Sequence, residues 1–149
     1  MPGNSVETTN NHRVLQWTPP SGQNAQLQPA GTSWDVVRVP LSIGIGERAL
    51  DLLGATTGAA IENPIDRVLY WLIKPGAAVA WDMSLLPAVQ VWGATAYIEV
   101  PPVARTTGPG VRWRVPLRYG RHLTDPTVLL AALKIATSAA LGPREGARR

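Results

Sequence analysis

The feature that most constrains the fold is the run Val68-Leu69-Tyr70-Trp71-Leu72-Ile73, six consecutive β-forming apolar residues with no polar position among them. Successive side chains of an extended chain point to opposite faces. Val68, Tyr70 and Leu72 therefore belong to one side, and Leu69, Trp71 and Ile73 to the other. A strand with no wet face has to be covered on both. The 149 residues are enough for one domain built around such a core.

Neighbouring segments predict the covering elements. WDVVRVP, from Trp34 to Pro40, is a β-branched, strand-like run. SIGIGERALDLLG then places Ile45, Ala49, Leu52 and Leu53 at helical spacing, with Gly54 as a C-terminal stop. GAAIEN, separated from the central run by Pro64-Ile65-Asp66, predicts a hairpin. GAAVAWDMSLL, from Gly76 to Leu86, reads as a short helix or an irregular loop anchored by Trp81. VQVW and AYIEV, flanking Gly93-Ala94-Thr95, read as a second hairpin ended by Pro101-Pro102.

VRWRVPLRY alternates Val111, Trp113 and Val115 against Arg112, Arg114 and Pro116, as a strand with one wet face does. Thr124-Asp125-Pro126 supplies an N-cap and a proline for the first helical position, and TVLLAALKIATSAALG runs as an apolar helix to Gly142. This order predicts an α+β fold: an antiparallel or mixed sheet of about six strands carrying two main helices on one face. Residues 1–32, rich in Asn, Gln, Pro, Thr and Gly, read as a flexible, disordered N-terminal tail. Its apolar island, Val14, Leu15 and Trp17, reads as incidental, the alternative being that it packs on the domain or on a partner. Residues 33–142 then form a single α+β domain, and 143–149 a basic C-terminal tail.

Composition narrows function by exclusion. The absence of cysteine removes disulfides, thiolate catalysis and cysteine zinc sites. The two histidines, His12 and His122, lie far apart, so neither a metal site nor another cofactor is expected. Carboxylates occur singly; Glu47 and Asp51 flank Arg48 and read as a solvated stripe. Ser42, Ser84 and Ser138 lack the context of a nucleophile. Gly44-x-Gly46-x-x-Ala49 follows a strand and enters a helix, as an allowed dinucleotide-binding variant does, but the β-rich remainder cannot build a doubly wound sheet. No catalytic constellation emerges, and a non-enzymatic protein is expected. No basic start precedes an apolar run and no apolar segment approaches a membrane span, which predicts a cytoplasmic protein with no membrane partner.

Six Trp and three Tyr without any Phe mean an indole-built core, and each buried indole brings an N–H that needs a partner. Trp71, Trp92 and Trp113 are expected in or near the core, with Trp34 and Trp81 as packing anchors. Net charge is +4, and all the basic residues except Lys74 and Lys134 are Arg. Arg105, Arg112, Arg114, Arg118 and Arg121 follow one another with no acidic residue between them, with Trp113 and Tyr119 interleaved and His122 just beyond.

On an alternating strand Arg112 and Arg114 share a face about 7 Å apart. Clustered Arg beside aromatics is the footprint of nucleic-acid binding, with Trp113 or Tyr119 stacking on bases and DNA or RNA as the partner. The competing reading pairs these Arg with Glu62, Asp66 or Glu99 on an ordinary solvated face. The domain is then a protein-interaction or regulatory module that associates with another protein or with itself, through its apolar strands or its C-terminal helix.

The stretch TGAAIENPIDRVLYWLIKPG, followed by VQVWGATAYIEVPPVARTTGPGVRWRVP and LTDPTVLLAAL, resembles the archaeo-eukaryotic-type primase-polymerase domains of bacterial mobile elements, over roughly residues 58–133. It is also similar to short uncharacterised actinobacterial proteins, a likeness that implies no chemistry. In the primase-polymerase group the first acidic pair has at most Glu62 as a counterpart here. The metal-side histidine is replaced in the region of Asp66 to Leu69, and the acid before the Gly-rich hairpin falls near Gln90-Val91. The resemblance thus carries over no catalytic residue. It implies a catalytically dead fold retained for binding, with the Arg-bearing strand kept.

Overall fold

The computed structural model describes residues 17–118 and 120–142. Seven strands and two α-helices follow one another as β1 (Gln26–Pro29), β2 (Asp35–Pro40), α1 (Ile45–Leu53), β3 (Ala60–Asn63), β4 (Val68–Ile73), β5 (Gln90–Trp92), β6 (Tyr97–Val100), β7 (Arg112–Val115) and α2 (Pro126–Leu141). Single 3₁₀ turns occupy Gly54–Thr56 and Met83–Leu85. The fold is α+β. Five strands form one sheet in the order β5-β2-β4-β3-β7, every neighbouring pair antiparallel, and β1 and β6 form a separate two-stranded antiparallel ribbon.

The apolar run is β4, the middle strand of the large sheet, and all six of its residues are buried. Leu69, Trp71 and Ile73 pack with Val37, Val39 and Ala60 against Ile45, Ala49 and Leu53 of α1 and Leu129, Leu133 and Ala136 of α2. Val68, Tyr70 and Leu72 pack on the other side with Val36, Ile61, Trp34 and Trp113, covered by Ile98 and Val100 of the ribbon. Helices, sheet and ribbon thus make three layers, and both clusters are needed because β4 has no side that water can reach.

Local chemistry accounts for the ends of the elements. Asn63 opens the β3–β4 turn by accepting the backbone N–H groups of Ile65 and Asp66 on its side-chain oxygen. In α2, Asp125 accepts the N–H groups of Thr127 and Val128, Pro126 needs no such partner, and Gly142 donates its N–H to Ser138. Of the apolar residues at helical spacing in α1, Ile45, Ala49 and Leu53 are buried, whereas Leu52 faces outward.

Three expectations need correction. The polar segment up to residue 32 is not tail throughout: Gln26–Pro29 pairs with Tyr97–Val100, and Val103 donates its N–H to Pro20. A strand as polar as Gln-Leu-Gln-Pro forms because β6 offers it a ladder, a tertiary cause that composition cannot carry. Residues 1–16 and 143–149, read as tail, lie outside the described residues. VQVW and AYIEV do not pair with each other; the turn closed by Ala96 N–H on Gly93 carries the chain from the large sheet, where β5 joins β2, to the ribbon.

The third correction concerns β7. Its register on β3 shifts so that Ala60 faces Val115 while Ile61 faces Trp113, leaving Arg114 as the extra residue of a bulge. Trp113 therefore enters the ribbon-side cluster while Val115 packs on the helix-side cluster, although strict alternation puts them on one face.

Gly58, just before β3, is tightly confined. A Cβ there would lie 2.7 Å from the backbone carbon and oxygen of Leu123 and 2.9 Å from Thr124 Oγ1. At Gly46, in the first turn of α1, the nearest atom is the mobile end of Leu41 at 2.9 Å. We expect Gly58→Ala to cost about 2 kcal/mol or more, by backbone displacement. Gly46→Ala should stay within about 1 kcal/mol of wild type, because alanine's helix propensity offsets part of the crowding. Urea unfolding midpoints of the two variants check the order.

Candidate functional site

The arginines that the sequence groups together are separated by the fold. Arg112 contacts Glu62 of β3 at 3.2 Å, and Arg114 contacts the same carboxylate at 3.3 Å and also Glu47 on α1. Arg112 further donates to the Gly108 carbonyl at 2.6 Å. Next to Trp113, which points to the ribbon, Arg114 points to the helix side and reaches α1, and the bulge turns Val115 to the same side. Hydrogen bonding to Glu47, then the charges of Glu47 and Glu62, push the Arg114 pKa up, so this guanidinium is held more firmly charged.

Two cations thus face two carboxylates, and the network ties the edge strand β7 to β3 and α1. Glu47, read from its spacing as part of a solvated stripe, is one of its anchors. The phosphate ladder expected of Arg112 and Arg114 is occupied by carboxylates.

The remaining members of the stretch go elsewhere. Arg105 folds back to donate to the Gln23 carbonyl. Trp113 is 1% exposed and its Nε1 donates to the carbonyls of Pro101 and Pro102, at 3.2 and 3.1 Å, so it is a core residue with no face left for stacking. Tyr119 lies outside the described residues. Arg118 and Arg121 are exposed in the loop after β7, joined by a bond from the Arg121 N–H to the Arg118 carbonyl, and neither forms an ion pair among the described residues.

That loop is fixed where it ends. The Ala59 N–H binds the His122 carbonyl, the Gly58 N–H binds Thr124 Oγ1 at 2.9 Å, and the Thr124 N–H binds the Leu72 carbonyl. A shallow cavity opens on either side of it. One, of about 300 Å³, is lined by Trp17, Thr32, Ser33, Lys74, His122 and Leu123, among others; the other, of about 350 Å³, by Leu50, Thr57, Arg114, Pro116 and Arg118 among others. Neither lining includes a carboxylate.

The residue that sequence reasoning missed is Trp17. Its indole lies 5.2 Å from the His122 ring at a 38° tilt, meets Trp34 edge to face at 5.7 Å, and donates from Nε1 to the Gln28 side chain at 2.8 Å. The one available signal was a bulky aromatic in a polar segment, and reading that segment as tail hid it. Trp34 Nε1, fully buried, has no hydrogen-bond acceptor among the described residues. An aromatic–cation contact, Arg38 over the Trp92 ring at 5.5 Å, sits apart from the loop on the ribbon-side face of the sheet.

Among the described residues no three His, Asp or Glu side chains come together to hold a metal ion, and no helix is long and apolar enough to cross a membrane. Neither a family model, nor a curated protein, nor a solved structure matches the chain.

Burial beside Trp17 pushes the His122 pKa below its ordinary 6.5. The unfolded chain then takes up this proton at a higher pH than the folded one. The corresponding stability is present above 6.5 and is lost as pH falls through the lower folded value. Between about pH 7.5 and about pH 5, the thermal midpoint of the wild type should fall further than that of His122→Gln. Parallel curves would rule out this contribution.

Proposed function

We propose that the chain is a non-enzymatic nucleic-acid-binding module whose contact surface is the loop carrying Arg118 and Arg121, rather than strand β7. The observation that carries this reading is the division of the arginines: Arg112 and Arg114 are matched by Glu62 and Glu47, while Arg118 and Arg121 stand exposed with no ion pair among the described residues, Arg118 at the rim of a cavity whose lining has no carboxylate. Exposed guanidinium groups with no ion pair among the described residues are suited to phosphates, and an aromatic pair is suited to bases. The likeness to a primase-polymerase domain without its metal-binding acids agrees with a binding role.

Anisotropy of a labelled single-stranded oligonucleotide, titrated across salt concentrations, tests the reading. Arg118→Ala combined with Arg121→Ala should weaken binding and reduce the salt slope by about 1.4, at about 0.7 per lost phosphate contact on a single strand. Arg112→Ala should lower stability and leave the slope in place. The reading is lost if the wild type binds nothing at low salt.

A second reading, self-association through α2, is favoured by the outer face of that helix, where Val128 and Ile135 are 39% and 52% exposed. It predicts a dimer in light scattering that persists at high salt and that Ile135→Glu converts to monomer.

A further inference from the structure

We infer that the cavity lined by Trp17 and His122 seats one unpaired nucleotide of a single-stranded nucleic acid, its base against the aromatic pair and its phosphate at Lys74. This inference rests on the loop being a nucleic-acid interface and specifies which form of nucleic acid it takes.

The aromatic wall is already in place. Trp17 is held by its T-shaped contact with Trp34, by the tilted His122 ring and by the hydrogen bond to Gln28. A ring fixed on three sides loses little freedom when a ligand arrives, and that favours binding. Free base faces stack on such rings regardless of sequence.

The rest of the lining complements a nucleotide. Pro75 and Leu123 extend the apolar wall, the hydroxyls of Thr32 and Ser33 can donate and accept at a base edge or sugar, and Lys74 supplies the positive charge. Among the described residues no carboxylate belongs to the lining, which suits an anionic group. About 300 Å³ is the lower end of the range for small-molecule sites, which suits one nucleotide and excludes a stacked pair. Arg121, exposed and next to His122 in the chain, is in reach of the phosphate next along the strand. A base inside a duplex is shut out unless it is extruded, at a cost of a few kcal/mol. The site therefore selects single strands.

The test uses the full chain with a fluorescein-labelled oligothymidine of about 12 nucleotides and a duplex of equal length, read by anisotropy. The wild type should prefer the single strand. Trp17→Ala should lose about tenfold or more of that affinity, Trp17→Phe should keep most of it, and Lys74→Gln should weaken it. Duplex affinity should stay within about twofold in each variant. Polyglutamate should fail to displace the strand.

If the wild type binds neither probe, the loop reading falls and this inference with it. If it binds both alike and the Trp17 and Lys74 variants change nothing, the loop reading stands and the base seat is overturned. Displacement by polyglutamate also overturns it. Should circular dichroism find Trp17→Ala unfolded, Lys74→Gln, at an exposed position, decides alone.

Discussion

Everything in this fold follows from a central strand that water cannot touch. With Leu69, Trp71 and Ile73 on one face of β4 and Val68, Tyr70 and Leu72 on the other, neither helices nor ribbon alone would be enough. At about 25 cal/mol for each Å² of apolar surface buried, leaving either triplet wet would forfeit several kcal/mol, comparable with the whole stability of a small domain. The two helices and the β1–β6 ribbon answer the same demand from opposite sides. Trp71 and Trp113 belong to these layers because their N–H groups find Thr57 and the Pro101-Pro102 carbonyls within them.

The bulge at Arg114 decides which apolar side chains β7 gives to each layer, and the charges beside it are structural. Without the extra residue, β7 would keep Trp113 and Val115 on one face. With it, Val115 turns to the helices, while Arg112 and Arg114, both on the helix side, meet carboxylates and help to hold an edge strand in place. Such partly exposed pairs contribute modestly to stability. Their larger effect is on the electrostatic field: they cancel charge along β7 and leave the exposed guanidinium groups of the following loop as the local source of positive potential. Five arginines in a row along the chain thus become two different surfaces.

What could be read from the chain was local, and what could not was tertiary. β4, the β3–β4 hairpin and both helices with their caps rest on periodicity and on residues such as Asn63, Asp125 and Gly142 that act within a few positions of themselves. β1 rests on β6, the switch of sheets after Trp92 rests on where β2 offers an edge, and the register shift of β7 rests on β3. The candidate site divides in the same way. Exposed Arg118 and Arg121 were legible as charge, but the pairing of Arg114 with Glu47 and the placing of Trp17 against His122 depend on elements distant in sequence.

The ribbon also has a kinetic meaning. Gln26 meets Val100 across most of the domain's chain length, so loop-closure entropy opposes this pairing until the large sheet between them has assembled. Four residue pairs, mostly exposed on the β1 side, place it among the parts of the backbone that open at low free-energy cost. Trp17 is tethered to Gln28 of that ribbon. The order in which the chain assembles therefore puts the cavity wall late: it is completed only when β1 docks on β6.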